Sequence, residues 1–127
     1  MANITATVDR TSASYDDSVL ICTWDGFAIA GDVGLPIRYA AWSDKTFVVS
    51  GTFAGTPTIA VEGSNDGINW VSLSNRQGTA MNFTAAGMNT SQDRPVYIRP
   101  RMTAGAGGAN IKVTVACHRV DLPGKGW

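Results

Sequence analysis

Apolar and polar residues alternate with period two through much of this chain. Residues 45–74, KTFVVSGTFAGTPTIAVEGSNDGINWVSLS, hold three such runs separated by Gly-marked turns. In the first, Phe47, Val49, Gly51 and Phe53 share one face, and Thr46, Val48, Ser50 and Thr52 the other. In the second, Ile59, Val61 and Gly63 oppose Thr58, Ala60 and Glu62; in the third, Trp70, Ser72 and Ser74 oppose Val71 and Leu73. Period two marks a strand with one buried face. Ser64-Asn65-Asp66-Gly67 predicts a tight turn, because Asn and Asp hydrogen-bond their own backbone and Gly takes positive φ. The three runs read as a β-meander. A second clear pattern lies at 110–119, where Ile111, Val113, Val115 and Cys117 alternate with Lys112, Thr114, Ala116 and His118. Before it, Val96, Ile98, Pro100 and Met102 oppose Tyr97, Arg99 and Arg101. These last two runs, joined by a Gly/Ala turn at 104–109, read as an antiparallel hairpin with apolar faces together. Pro100 cannot donate a ladder bond, which predicts an edge or a bulge.

The rest of the pattern is looser. Residues 1–17 are polar, with Ile4, Val8 and Tyr15 scattered among Ser and Thr residues that favour extended backbone. They predict an arm with at most one edge strand. Residues 18–24 form a strongly apolar strand, Asp25-Gly26 a turn, and 27–30 a short return. A loop at 31–36 precedes a short strand at 37–42. After the meander come a turn at 75–78, a short strand at 80–84 and a polar loop at 85–92 with room for one helical turn. No repeat, heptad or sustained amphipathic helix occurs. Roughly six to eight short strands, with turn signals every eight to twelve residues or so, predict an all-β fold. The expected architecture is an antiparallel β-sandwich of jelly-roll type with an extended N-terminal arm. Its divisions are an arm at 1–17, a sandwich at 18–119 and a C-terminal tail at 120–127.

Composition narrows the function classes. The chain's 127 residues suit one domain able to bury a two-layer core unaided. Charged residues make up 16% of the chain, below the roughly 25% usual in globular proteins. A surface of low charge suits burial against another protein, because interface cores are depleted in charge. Ten acidic and ten basic residues cancel, and no basic stripe of the kind that grips duplex DNA is present. Nucleic acid is therefore not expected as a partner. A membrane is not expected either, since no segment approaches about 20 apolar residues. The N-terminal residues lack the apolar stretch of a secretory signal, which predicts synthesis in a cytoplasm. Arg94, Arg99 and Arg101 are crowded together. They read either as one polar strand face balanced by Asp93 and other acids, or as a patch that grips acidic side chains bidentately.

Candidate chemistry is sparse. His118 is the sole histidine and cannot build a His-based metal site by itself. It is expected in solvent, on the face opposite its neighbour Cys117, which argues against a catalytic pair. Cys22 and Cys117 lie in apolar strand runs and read as two buried free thiols, with a disulfide the alternative. Asp16, Asp17, Asp25, Asp32 and Asp66 fit turns and caps better than a Ca²⁺ loop, since no D-x-D-x-D-G motif occurs. No phosphate-binding loop is present, and 105–108 is a turn with no helix after it. The residues point away from an enzyme, and no cofactor or metal is expected. Trp24, Trp42 and Trp70 read as core or rim residues, with a sugar-stacking platform as the alternative. Trp127 ends the chain after Pro123 and Gly124, where a large aromatic suits docking onto a partner, with packing on its own domain or disorder as the alternatives.

Taken in order, an E-G-S-N-D-G-x-N-W hairpin, a loosely patterned middle, a Y-I-R-P-R strand and a final apolar strand resemble a family of proteins. These are small all-β head decoration, or cement, proteins of tailed bacteriophages, and the resemblance covers residues 45–119. It implies a jelly-roll or related sandwich on the outer surface of an icosahedral head, clamping neighbouring major capsid subunits against internal DNA pressure. The implied partners are the major capsid protein and further copies of the chain, with a homodimer on a two-fold axis favoured over a trimer. The implied location is the outer capsid surface of the virion. Many copies would let weak contacts add by multivalency. Residues 1–42 lie outside the resemblance. Candidate partner-binding residues, inferred from the arm, the arginine strand and the tail, are Ile4, Val8, Arg10, Tyr15, Arg99, Arg101 and Trp127. Alternative functions are another virion structural part, such as a tail or fibre sandwich, or a carbohydrate-binding module.

Overall fold

A computed structural model describes residues 2–9, 19–39 and 42–119. Among these residues there are eleven strands and no helix: β1 Asn3–Ile4, β2 Thr7–Asp9, β3 Val19–Phe27, β4 Val33–Gly34, β5 Asp44–Thr52, β6 Thr58–Ser64, β7 Val71–Ser72, β8 Asn82–Phe83, β9 Gly87–Thr90, β10 Tyr97–Ala104 and β11 Asn110–His118. They form two sheets. One runs β1-β4-β10-β6-β7, with β8 also on β6; the other runs β2-β3-β11-β5-β9. From β3 onward the long strands alternate between sheets, giving β3-β11-β5-β9 against β4-β10-β6 with β7 and β8 sharing the last place. That interleaving is the double Greek key of a jelly roll, as the patterning predicted.

The alternation decides what enters the core. On β11 the side chains of Ile111, Val113, Val115 and Cys117 are fully buried, and they meet Leu20, Cys22 and Trp24 of β3 and Phe47 and Val49 of β5 on the same face. Ile59 and Val61 of β6 and Ile98 and Met102 of β10 close the core from the other sheet. Burying a side chain of this size contributes about 1.5–3 kcal/mol. Trp24 is buried with its indole N–H donating to the Leu35 carbonyl at 2.9 Å, so its one polar atom is satisfied.

Several local expectations change. The first meander turn is a crossing: β5 lies in one sheet and β6 in the other, and only β6 and β7 pair as a hairpin. The supposed hairpin of β10 and β11 is likewise a pair of strands in opposite sheets whose apolar faces meet across the core. A half-buried strand shows the same alternation whether its successor lies beside it or across from it, so periodicity cannot separate the two. Asp25-Gly26 is not a turn. Strand β3 runs through it, and the register shifts between Ile111 and Lys112 at a bulge where Gly26 takes φ 108°. The polar stretch after Ala85 supplies β9, paired to β5, in place of a helical turn. Among the described residues of 37–42, only an isolated bridge, Ile37 to Ile98, forms. The described part of the arm holds two short strands rather than at most one.

Pro100 sits in β10, between β4 and β6. On the β4 side, Ile98 N–H donates to Ile37 O and Met102 N–H to Asp32 O, and Pro100 occupies the step between them. The strand is internal, but the proline falls where the ladder is already interrupted.

Candidate functional site

Two surfaces gather the described candidate residues. The first is the arm. Strand β1 adds to β4 in parallel, and β2 adds to β3 antiparallel, so the chain leaves the edge of one sheet and joins the edge of the other. Asp32 anchors its start. Its carboxylate accepts the backbone N–H groups of Ala2 at 2.9 Å, Ala28 at 2.9 Å and Ile29 at 3.2 Å. Burial pushes the Asp32 pKa up, but those three donors outweigh it and hold the carboxyl below its ordinary value. Ile4 packs half-buried against the core, whereas Val8 stands 39% exposed. Val8, Ala6, Leu35 and Ile37 line a groove of about 440 Å³ bordered by Arg38 and Tyr39.

The second surface is the outer face of the β10–β6 sheet. Glu62 stands opposite Arg99. Its Oε1 accepts from Arg99 Nε at 3.0 Å and its Oε2 from Arg101 Nε at 3.1 Å. Arg99 also lies over the Trp70 ring, 4.1 Å from its centroid, and Arg38 lies 5.6 Å from the Tyr97 ring. The result is an ordered arginine–aromatic layer that leaves Glu62 buried even though it points away from the core. The balancing acid is Glu62 and not Asp93, whose Oδ2 instead accepts the Ser74 N–H at 2.7 Å. Arg94 belongs to neither group; it pairs with Asp44 at 3.6 Å. Of the remaining candidates, Arg10, Tyr15 and Trp127 lie outside the described residues.

The described tryptophans, Trp24, Trp42 and Trp70, are not arranged as a platform. Trp24 and Trp42 are buried, Arg119 lies 4.7 Å from the Trp42 ring centroid, and one face of Trp70 is covered by Arg99. Trp70 therefore sits on the outer sheet face rather than over one end of the core. A cleft of about 510 Å³ beside the 64–69 turn is lined by Asn65, Asp66, Asn69 and Asp93 but by no aromatic ring. The turn itself is built as its residues suggest. Ser64 Oγ accepts the Gly67 N–H, and Asp66 Oδ1 accepts the N–H groups of Ile68 and Asn69, which holds the Asp66 carboxyl far below the usual range.

One buried group was missed by the patterning. Lys45 shares the inward face of β5 with Phe47, and it is 4% exposed. Its ammonium donates to the carbonyls of Trp42 at 2.7 Å and Tyr39 at 3.1 Å. Burial lowers its pKa. Cys117 lies opposite Lys45 in the ladder, and both cysteines are free and fully buried. The hydrogen bond between the thiols raises the pKa of Cys22 and lowers that of Cys117, with Lys45 acting in the same direction on Cys117. A lysine at a strand's start reads as a solvated end, and only its register with Phe47 points inward. His118 is exposed on the opposite face from Cys117. Among the described residues no group of His, Cys, Asp and Glu is placed to hold a metal ion.

These features define a jelly-roll sandwich whose arm joins both sheets and whose outer face carries an ordered arginine–aromatic layer. No protein-family model matches the sequence, and no curated protein matches it. Solved structures do resemble it. The SPBc2 prophage-derived protein YomS gives a TM-score of 0.54 at 10% identity, over 77% of this chain and 94% of that one. At that identity the likeness is one of fold. A chain from Bacillus endospore appendages, which form a novel family of disulfide-linked pili, gives a TM-score of 0.40 at 12% identity, over 92% of this chain and 91% of that one. FeII HppE gives 0.39 at 7% identity, over 88% of this chain and 56% of that one. These last two scores are too low to establish a shared fold.

Proposed function

We propose that this protein is a structural component of a tailed-phage particle, and specifically a cement protein bound to the outer surface of the head. The observation that carries the reading is a neutral, low-charge jelly roll whose arm straps both sheets and leaves apolar side chains, Val8 and Leu35, exposed along one groove. The resemblance of residues 45–119 to head decoration proteins supports it, as does a fold in common with a prophage-derived protein. In this reading the major capsid protein is the partner, and the arm edge is the contact. Repeated copies, as dimers on two-fold axes in preference to trimers, clamp adjacent subunits. The protein acts without catalysis, cofactor, nucleic acid or membrane.

The test is addition of purified protein to mature heads that lack it. Saturable co-sedimentation and raised resistance of the heads to heat or chelator are expected. Val8→Asp and Leu35→Asp should weaken binding while leaving the fold intact, since both side chains are already in contact with water. Heads that neither bind the protein nor gain resistance would remove the reading.

A further inference from the structure

The 74–79 turn and the 91–94 segment meet at one end of the sandwich, beside the start of β5. Asn75 and Ser91 form a bridge there. Gln92 N–H donates to Ser74 O at 2.9 Å, Ser91 N–H to Lys45 O at 3.2 Å, and Ser91 Oγ to Asp93 O at 2.8 Å. Asn75 Oδ1 fixes the turn by accepting the N–H groups of Gln77 and Thr79. Between these pinned segments lies a pocket of about 310 Å³ lined by four polar residues, Arg76, Ser91, Gln92 and Arg94.

The two guanidinium groups in that pocket are little used internally. Arg76 makes no hydrogen bond or ion pair among the described residues. Among the described residues Arg94 has only the 3.6 Å contact with Asp44, and its side chain is 67% exposed. Asp93, the nearest acid in sequence, spends one carboxylate oxygen on Ser74 N–H. The contrast with Arg99 and Arg101, both paired to Glu62, is direct. Two guanidinium forks on a fixed backbone, flanked by the Gln92 side-chain amide, match an oxyanion with several acceptor oxygens.

We propose that Arg76 and Arg94, with the side-chain amide of Gln92, form an oxyanion-binding pocket. Its ligand is a carboxylate or a tetrahedral anion, supplied either by an acidic side chain of a protein or by a free inorganic ion. The inference goes beyond the cement reading and does not depend on it, because the pocket belongs to the isolated chain.

The experiment is titration of the ¹⁵N-labelled protein, followed by backbone amide and arginine Nε shifts at constant ionic strength. One arm uses sodium sulfate and the other a capped Glu-Glu dipeptide. Saturable shifts confined to residues 74–79 and 91–94 are expected in at least one arm, and the arm that saturates identifies the source. Arg76→Gln and Arg94→Gln should each weaken binding by about tenfold or more, the equivalent of one charge-assisted bond. Arg76 has no partner among the described residues, so its replacement should leave the fold unchanged, which the spectrum itself reports. Shifts that stay linear in concentration in both arms, or saturable binding that survives both substitutions, would overturn the proposal.

Discussion

Replacing Glu62 with Gln should destabilise the protein more than any other single polar substitution on the outer sheet face. Glu62 is 8% exposed at its side chain and bridges Arg99, 23% exposed, and Arg101, 42% exposed. Removing one partner of a fully buried ion pair costs about 3–5 kcal/mol, because the remaining charge is left unpaired. The Arg99 half approaches that limit. The Arg101 half is open to water and contributes about 0–1 kcal/mol. Gln keeps the shape and one acceptor oxygen, which brings the expected loss to about 2–3 kcal/mol. With a domain stability of about 5–15 kcal/mol the variant still folds, and its Tm falls by roughly 10 °C. Arg99→Gln should cost nearly as much, since it also removes the stack on Trp70, worth about 0.5–2 kcal/mol. Arg101→Gln should cost under about 1 kcal/mol. Urea unfolding followed by tryptophan fluorescence measures all three. A loss below about 0.5 kcal/mol for Glu62→Gln, or equal losses for the two arginines, would refute the argument that Glu62 and Arg99 form the buried half of the layer.

Three further outcomes rest on the geometry. Asp32→Asn should lose about 1–3 kcal/mol at pH 7, since an amide cannot accept all three backbone N–H groups. Because the Asp32 carboxyl is held below its ordinary value in the fold, its contribution is complete above about pH 4 and is lost as pH falls through the folded pKa. The gap between wild type and variant in pH-dependent unfolding should therefore close in acid. Gly63→Ala places a Cβ against Pro95 Cγ and 2.6 Å from Leu73 Cδ2, and should cost about 1–3 kcal/mol in the same urea assay. Cys22 and Cys117 should be inert to a thiol reagent in the native protein and should both react once it is unfolded. Native reactivity would contradict their full burial.

The sequence makes the fold class plain because period two survives in β5, β6, β10 and β11, and each of these buries the face its pattern marks. Which strands lie side by side is not legible in the same way. Strands β5 and β6, and β10 and β11, succeed each other through Gly-containing links yet pass to opposite sheets, and a link of that composition serves either route. Gly26 shows a similar ambiguity, since Asp-Gly suits a turn or a bulge, and the long pairing of β3 with β11 decides between them. The arginine strand was legible as a charged face, but its counter-ion was not. Glu62 lies 37 residues from Arg99, and only the register of β6 with β10 brings them together. Lys45 was hidden for a different reason, because its apolar stem lets a cation occupy a core position if carbonyls meet its tip.

We have proposed that this jelly roll clamps the outside of a phage head. Electron cryomicroscopy of the particle carrying the protein with a small fused tag tests it most directly. Tag density is expected on the outer head surface above the seams between major capsid subunits, with the arm edge that carries Val8 turned toward the shell. Density on the tail or fibres, or particles that contain none of the protein, would contradict it.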